Sequence, residues 1–259
     1  MALNDNMLTF GGHLDVLRKM LLRILVITFV FSSGIFFFKD MTFEILLAPS
    51  EWNFITYLWV EEVGRVFISD FCFGEFHVDL IATDLSSQFM THLTTSIYLG
   101  LLCASPFILI ELFKFISPAL LDSERRYSVQ LGLVVYVLFV VGLLMSYYVL
   151  FPISFRFLGT YSVADKIRSA ITIDSYISTF VTLSFLMGLV FQLPVIAFLL
   201  AKMGFVRSQI LIHYRVYAFL MICIVSAIIT PPDVMTLILV AFPLYVLYEI
   251  GIKIVKMVE

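Results

Sequence analysis

Charge and cysteine are both scarce in this sequence. Asp, Glu, Lys and Arg together make up 14% of the 259 residues, and the formal net charge is −3. No block of basic residues occurs, so the electrostatic signature of a nucleic-acid-binding protein is missing and we expect no nucleic-acid partner. The three cysteines show no CxxC or Cys/His spacing, which argues against a zinc site and against a framework of intramolecular disulfides.

Recognisable catalytic motifs are absent as well. The sequence contains no Walker motif, no glycine-rich nucleotide loop, no HExxH and no Ser/His/Asp set at a depth suited to hydrolysis. The four histidines lie on separate segments, which is typical of packing or interfacial residues rather than of haem or metal ligands. We therefore predict no enzymatic activity, no catalytic residue, no metal and no cofactor. The N-terminal stretch is too polar for a cleavable signal peptide, so we expect the first apolar segment to remain.

Apolar residues dominate what is present. They make up 61% of the chain, which is more than a soluble domain of this size could bury. We predict an all-α polytopic membrane protein with one domain over residues 1–259. Its spanning helices are embedded in the lipid bilayer, and its loops lie on both sides. The six predicted transmembrane helices cover residues 22–38, 89–113, 129–151, 176–201, 214–229 and 234–250.

Lysine and arginine concentrate in four of the polar segments, all on one side if the chain crosses six times. The positive-inside rule then places both termini in the cytoplasm. These residues are Arg18, Lys19, Arg23, Lys114, Arg125, Arg126, Lys202, Arg207, Arg215, Lys253 and Lys256.

Local patterns refine this topology. Residues Leu8 to Met20 predict an amphipathic helix that continues into the first span. The acidic outside region 39–87 is predicted to be irregular, with short strands near 65–69 and 77–82, and a second outside region covers 152–174. We predict a kink at Pro106 in the second span. The last two spans have roughly 16 residues each, fewer than the ~20 that an ordinary bilayer core requires.

The connection between the second and third spans carries two open interpretations. Ser117-Pro118 ends the preceding helix, and Asp122 with Ser123 can cap the next one. Glu124, Arg125 and Arg126 then stand near the aromatic residue Phe115. The segment is either a solvated loop with helix caps and topology-setting arginines, or a docking site for a charged partner.

Four patterns occur in one order along the chain. They are His13–Lys19, Phe115–Arg126, Phe191–Val195, and Thr230–Val234 followed by Pro243-Leu244-Tyr245 and Tyr248-Glu249. With six spans between cytoplasmic ends, the sequence resembles the TatC family, the receptor subunit of the twin-arginine protein translocase. The resemblance covers nearly the whole chain except about residues 51–76, a divergent part of the first outside loop.

The resemblance implies a concave, glove-like scaffold in the inner cell membrane that binds twin-arginine signal peptides of folded proteins on the cytoplasmic side. It also implies single-span partners of the TatA and TatB type, several copies in a receptor complex, and transport driven by the proton-motive force. The implied signal-peptide site contains Phe115, Glu124, Arg125, Arg126, Arg18 and Asp15. The implied partner-helix contact contains Gln192, Ser226, Thr230, Pro231, Pro232 and Asp233.

Two departures from the family pattern affect these assignments. Val16 occupies the position where the family has a glutamate, and the adjacent Asp15 is rotated by about 100° on a helix. Gln192 replaces a family glutamate in the fourth span, so a proton-linked carboxylate is missing there. Gln192 either belongs to the partner contact or bonds backbone groups freed by Pro194.

The Thr230–Asp233 break has a local explanation as well. A Pro-Pro pair ends a helix, and Asp233 can cap the sixth span without any partner. Ser226 and Thr230 are four residues apart and share a helix face, where they either meet a partner helix or bond their own backbone. Glu249 is predicted to be a solvated or snorkelling group near the cytoplasmic end of the sixth span.

Two other function classes compete with a translocation receptor. A secondary transporter of a small solute would be expected to show internal repeats and ionisable residues at mid-membrane, and neither is evident in the sequence. A membrane-embedded enzyme would need a catalytic set, which is missing.

Overall fold

The chain is helical through most of its described length. The structure, a computed structural model, describes residues 10–67, 74, 76–116, 128–162, 170–230 and 233–259. The helices are α1 (Phe10–Phe37), α2 (Lys39–Leu47), α3 (Ile55–Phe67), α4 (Ser87–Ile116), α5 (Ser128–Met145), α6 (Phe151–Thr160), α7 (Ile173–Val190), α8 (Leu193–Lys202), α9 (Ser208–His213), α10 (Arg215–Ile229) and α11 (Val234–Val258). Ala48–Ser50 is a 3-10 turn, Ser146–Leu150 is a π-helical turn, and the strands are β1 (Leu80–Ile81) and β2 (Ile171–Thr172).

Five helical segments in the described residues are long and apolar enough to cross a membrane, and α10 is a shorter apolar helix. The long segments are Leu14–Phe37, Ser87–Leu112, Gly132–Thr160, Ile173–Lys202 and Val234–Val258. Helices suit such segments because a spanning chain must satisfy its backbone hydrogen bonds internally. The all-helical polytopic architecture is confirmed, whereas the glove-like shape and the cytoplasmic termini stay predictions.

The ends of the spans separate correct predictions from wrong ones. The amphipathic start and the first span form one continuous helix, as expected. Helix α10 has 15 residues and is short as predicted. The sixth span was predicted to be equally short, but α11 runs for 25 residues to Val258. The segment becomes polar at Lys253 and Lys256, and the prediction ended the span before them. The helical hydrogen bonds continue past both lysines.

The first outside region is not irregular as predicted. Helices α2 and α3 occupy most of its first half, and residues 65–67, predicted as strand, belong to α3. Tyr57 on α3 and Phe54 just before this helix are buried, whereas Trp59 and Val66 on the same helix are exposed, so α3 is covered on one side only. The second predicted strand is present only as β1, which pairs in parallel with β2.

Proline residues shape two of the spanning helices. Pro106 lies inside α4 and cannot donate to the carbonyl of Leu102, and the Ser105 hydroxyl donates to that carbonyl instead. Pro152 follows the π-helical turn, and the Thr56 hydroxyl donates to the carbonyl of Tyr148 that the proline leaves open. Side-chain hydroxyls thus replace the missing backbone donors, which lets each helix continue through its proline.

The chain forms two compact units. Unit 1 comprises residues Met1–Phe38 and Leu93–Tyr136, and unit 2 comprises Lys39–His92 and Val137–Glu259. In unit 1, α1 and α4 approach so closely that a Cβ on Gly100 would lie 2.7 Å from the Ser32 Cα. The rings of Phe31 and Phe107 lie beside this crossing, with 5.8 Å between their centroids.

Unit 2 has a buried aromatic cluster where α3, α6 and α7 meet. Phe151 contacts Tyr176 and Phe180 edge-on, with centroid distances of 4.9 and 5.1 Å, and Phe155 contacts Tyr176 at 5.0 Å. The Tyr176 hydroxyl donates to the carbonyl of Leu46 at 2.9 Å. The cluster fixes the neighbouring ends of these helices because each buried ring contacts several others.

Candidate functional site

Helices α1 and α4 carry a charged pair in unit 1. An Arg23 guanidinium nitrogen donates to a Glu111 carboxylate oxygen at 3.2 Å. The Glu111 side chain is only 15% exposed, whereas that of Arg23 is 63% exposed. Glu111 precedes Phe115 by four residues on α4, so the two residues share one face of that helix.

The predicted signal-peptide residues fall into two groups. Asp15 and Arg18 are exposed on α1, and Phe115 lies in the last turn of α4. Glu124, Arg125 and Arg126 lie outside the described residues. The docking role of this loop therefore stays a prediction.

The predicted partner-contact residues at the end of α10 are covered by the chain itself. Ser226 is 0% exposed and Thr230 is 7% exposed. The Thr230 hydroxyl donates to the carbonyl of Ser226 at 2.9 Å, as the backbone-bonding alternative expects. The Ser226 hydroxyl has no hydrogen-bond partner among the described residues. A partner could not reach these two hydroxyls in this conformation.

The break after α10 is closed by a helix cap. Asp233 accepts a hydrogen bond from the backbone N–H of Thr236 at 2.7 Å and a second one from the Thr236 hydroxyl. This is the N-cap of α11, so the local explanation accounts for Asp233. Pro231 and Pro232 lie outside the described residues.

Gln192 is buried at the junction of α7 and α8. Its backbone N–H bonds to the carbonyl of Leu189, which leaves the carbonyl of Gly188 without its usual helical donor. The Gln192 side-chain amide donates to that Gly188 carbonyl at 3.3 Å. Gln192 therefore bonds a free backbone carbonyl at the helix junction, but this carbonyl belongs to Gly188 and not to Val190, which is the one that Pro194 leaves open.

Two carboxylates have partners that the sequence did not reveal. Glu249 accepts a hydrogen bond from Arg215 at 2.8 Å and another from the Tyr245 hydroxyl at 3.2 Å, so it is a partly exposed carboxylate held by two partners. Asp174 accepts hydrogen bonds from the Ser87 hydroxyl at 2.8 Å and from the Thr91 hydroxyl. The Arg215–Glu249 spacing of 34 residues and the Ser87–Asp174 spacing of 87 residues leave no local sequence signal.

Unit 2 also contains a buried phenol on α3. The Tyr57 hydroxyl lies 2.7 Å from the carbonyl of Pro49 and 3.0 Å from that of Pro152. Burial raises the pKa of Tyr57 well above its ordinary value, although the nearby Arg156 opposes the change. The Arg156 guanidinium lies over the Phe76 ring, 4.9 Å from its centroid. These contacts are structural, and the part of the chain that is described contains no cluster of metal-binding residues.

The chain is similar to proteins of one family along nearly its whole length. Residues 12–243 match the family described as Sec-independent protein translocase protein (TatC). The TatC protein of Carboxydothermus hydrogenoformans is 34% identical, over 99% of this chain and 96% of its own length. That of Escherichia coli K12 is 31% identical, over 93% of this chain and 85% of its own length.

Solved structures give the same result. A crystal structure described as the twin-arginine translocase receptor TatC superposes with a TM-score of 0.73 at 30% identity, covering 95% of this chain and 99% of that one.

Proposed function

The chain belongs to the TatC family of Sec-independent protein translocase proteins, and on that premise we propose that it is the receptor for twin-arginine signal peptides of folded proteins. It is a multi-pass membrane component of a protein translocase and not an enzyme. The observation that carries the proposal is the match over 95% of the chain to a protein described as a twin-arginine translocase receptor.

The proposed signal-peptide site lies at the cytoplasmic end of the second span. Glu124 forms a charge-assisted pair with a signal arginine, and Phe115 offers an aromatic face beside it. Arg125, Arg126, Arg18 and Asp15 form the rim of the same site. A guanidinium suits this environment because its planar donors match a carboxylate and stack on a ring.

Binding of a labelled twin-arginine peptide to the purified chain tests this site. We expect Glu124→Ala to abolish selective binding, because losing a desolvated charge pair costs a few kcal/mol, or more than tenfold in affinity. Glu62→Ala is the matched control, since Glu62 is an exposed carboxylate on α3. Binding by Glu124→Ala at wild-type strength, or no preference of the wild type for arginine over lysine, would contradict the proposal.

We also propose that single-span partners of the TatA and TatB type dock along α10. Its 15 residues span about 22 Å, less than the ~30 Å hydrocarbon core, so lipid must thin there or a second helix must cover it. Ser226 and Thr230 are covered, so the accessible face is the one that carries Ile228, which is 79% exposed. Pro231, Pro232 and Asp233 form the outer rim of this contact, and Gln192 supports the neighbouring helix junction from within.

Cysteine crosslinking to a partner helix tests the docking face. We expect Ile228→Cys to crosslink efficiently, whereas Val137→Cys, on an exposed face of the third span, should not. Crosslinks from position 137 and none from 228 would move the interface elsewhere. The same proposal includes an inner-membrane location, cytoplasmic termini and several receptor copies per complex.

A further inference from the structure

The Arg23–Glu111 pair is asymmetric. Glu111 has lost most of its contact with solvent, and a covered carboxylate is costly unless a cation stays beside it. Arg23 is mostly exposed, so it gains little from a pair whose loss water can compensate. A cation beside Glu111 offsets the cost of covering its carboxylate, and the exposure of Arg23 does not require that this cation be Arg23.

Glu111 lies near both parts of the proposed signal-peptide site, the end of α4 and the first turns of α1. On α4 it lies one turn before Phe115, on the same face. On α1 its partner Arg23 lies seven residues after Val16, which is two turns and again the same face, about 10 Å along the helix. Val16 is 41% exposed and stands where the family has a glutamate. The face of α1 that carries Val16 instead of a glutamate therefore also carries Arg23, which contacts the carboxylate of Glu111.

A signal with two adjacent arginines brings two guanidiniums, and Glu124 accounts for one of them. Asp15 points about 100° away from the Val16 direction, which makes it a poor second acceptor. We propose that Glu111 accepts the second signal arginine and that Arg23 occupies this carboxylate until the signal peptide displaces it. This inference rests on the proposed receptor function and adds a residue to its specificity site.

The exchange is physically balanced. One guanidinium leaves and another arrives, so the net charge of the site and the pairing of Glu111 are preserved. Lys19 precedes Arg23 by four residues on α1, and like charges at this spacing repel each other weakly. A released Arg23 side chain returns to solvent, to which it is already largely exposed. A lysine in the signal would serve less well because it lacks the planar pair of donors.

Two variants that each remove one charge separate exchange from a structural ion pair. We expect Glu111→Gln to weaken binding of a labelled twin-arginine peptide to the purified full chain by roughly tenfold, because one charge-assisted contact is lost. Arg23→Gln should tighten binding several-fold, because it removes the resident competitor. A lysine–lysine version of the peptide should respond little to either variant.

The outcomes are distinct. A purely structural pair predicts that both variants weaken binding alike, and that result, or no change in either variant, would overturn the inference. The double variant should bind like Glu111→Gln alone, since removing Arg23 gains nothing without the carboxylate. If Glu111→Gln does not fold, Arg23→Gln decides alone, with tighter binding in support and unchanged or weaker binding against. Failure of the receptor function itself would appear separately, as a wild type that does not prefer arginine or does not depend on Glu124.

Discussion

The two compact units differ in how far their spanning helices are covered. In unit 1, only 6% of the spanning window of α1 is buried within the chain, whereas in unit 2 the windows of α7–α8 and of α11 are each 44% buried. Unit 2 has a core of interlocking rings and close helix crossings, whereas in the described part of unit 1 the helices α1 and α4 are joined by the Gly100–Ser32 crossing, the Phe31–Phe107 ring contact and the Arg23–Glu111 pair. A helix that the chain leaves uncovered is available for lipid, a partner or a signal peptide, while a covered one holds the scaffold.

The largest effect should come from the densest crossing in unit 2. A Cβ on Gly142 would lie 2.7 Å from the backbone carbonyl oxygen of Met187, and backbone cannot move aside as a side chain can. We expect Gly142→Val to cost about 3 kcal/mol or more and to lower the yield of folded protein. Gly132→Val on the same helix is the control, because nothing lies within 4 Å of its Cβ position. Equal thermal stability of the two variants in detergent would show that this crossing does not hold unit 2.

The corresponding change in unit 1 should act more on binding than on stability. Gly100→Val forces α4 away from Ser32, and the Arg23–Glu111 pair lies on the same two helices. We expect a stability loss of about 1–3 kcal/mol together with weaker signal-peptide binding. Gly34→Val on α1 should leave both unchanged, since its Cβ position is open. A Gly100→Val chain as unstable as Gly142→Val would remove the contrast between the units.

Tyr57 sharpens the contrast through pH. Because its pKa is raised in the folded state, its contribution to stability is fully present below the ordinary value of about 10 and is lost as pH rises through the raised value. Tyr57→Phe should cost about 1–2 kcal/mol at neutral pH, because two buried carbonyls lose their donor, and should flatten the alkaline loss of stability. The exposed Tyr161 gives the control, Tyr161→Phe. An unchanged alkaline profile in Tyr57→Phe would assign the pH dependence to other groups.

The smallest effect concerns the cap of α11. Asp233→Ala removes two hydrogen bonds to Thr236 and should cost about 1 kcal/mol. Asp233→Asn retains a capping oxygen and should cost less. Thermal unfolding of the two variants measures the difference, and identical stability would show that Asp233 contributes through something other than the cap.

Much of the fold follows from the sequence because hydropathy accumulates along a continuous segment. The long apolar runs predicted the spans, and Asp233 predicted its own cap, since both depend on near neighbours in the chain. The helices of the first outside region were missed because short aromatic segments suit a strand or a buried helix equally well. The end of α11 was placed too early because its last turns are polar while still helical.

The candidate site shows the same division. The location of the signal-peptide site rests on ordered motifs and stays a prediction. Gln192 was expected to bond backbone freed by Pro194, and it bonds the carbonyl of Gly188 instead. The pairing of Arg23 with Glu111 was not predicted, since 88 residues separate them and no periodicity states which helix faces will meet. The coverage of Ser226 and Thr230 was missed for the same reason.

The sequence by itself determined that this chain consists of long apolar helices joined by polar segments, because composition and spacing act over one or two helical turns. Only the tertiary structure decided which carboxylates are covered and which cations face them. Those properties depend on how glycine crossings such as Gly142–Met187 and Gly100–Ser32 set the helices against one another within each unit. Packing contacts at that range are fixed by side-chain shapes from distant segments, and a single sequence carries no local record of them.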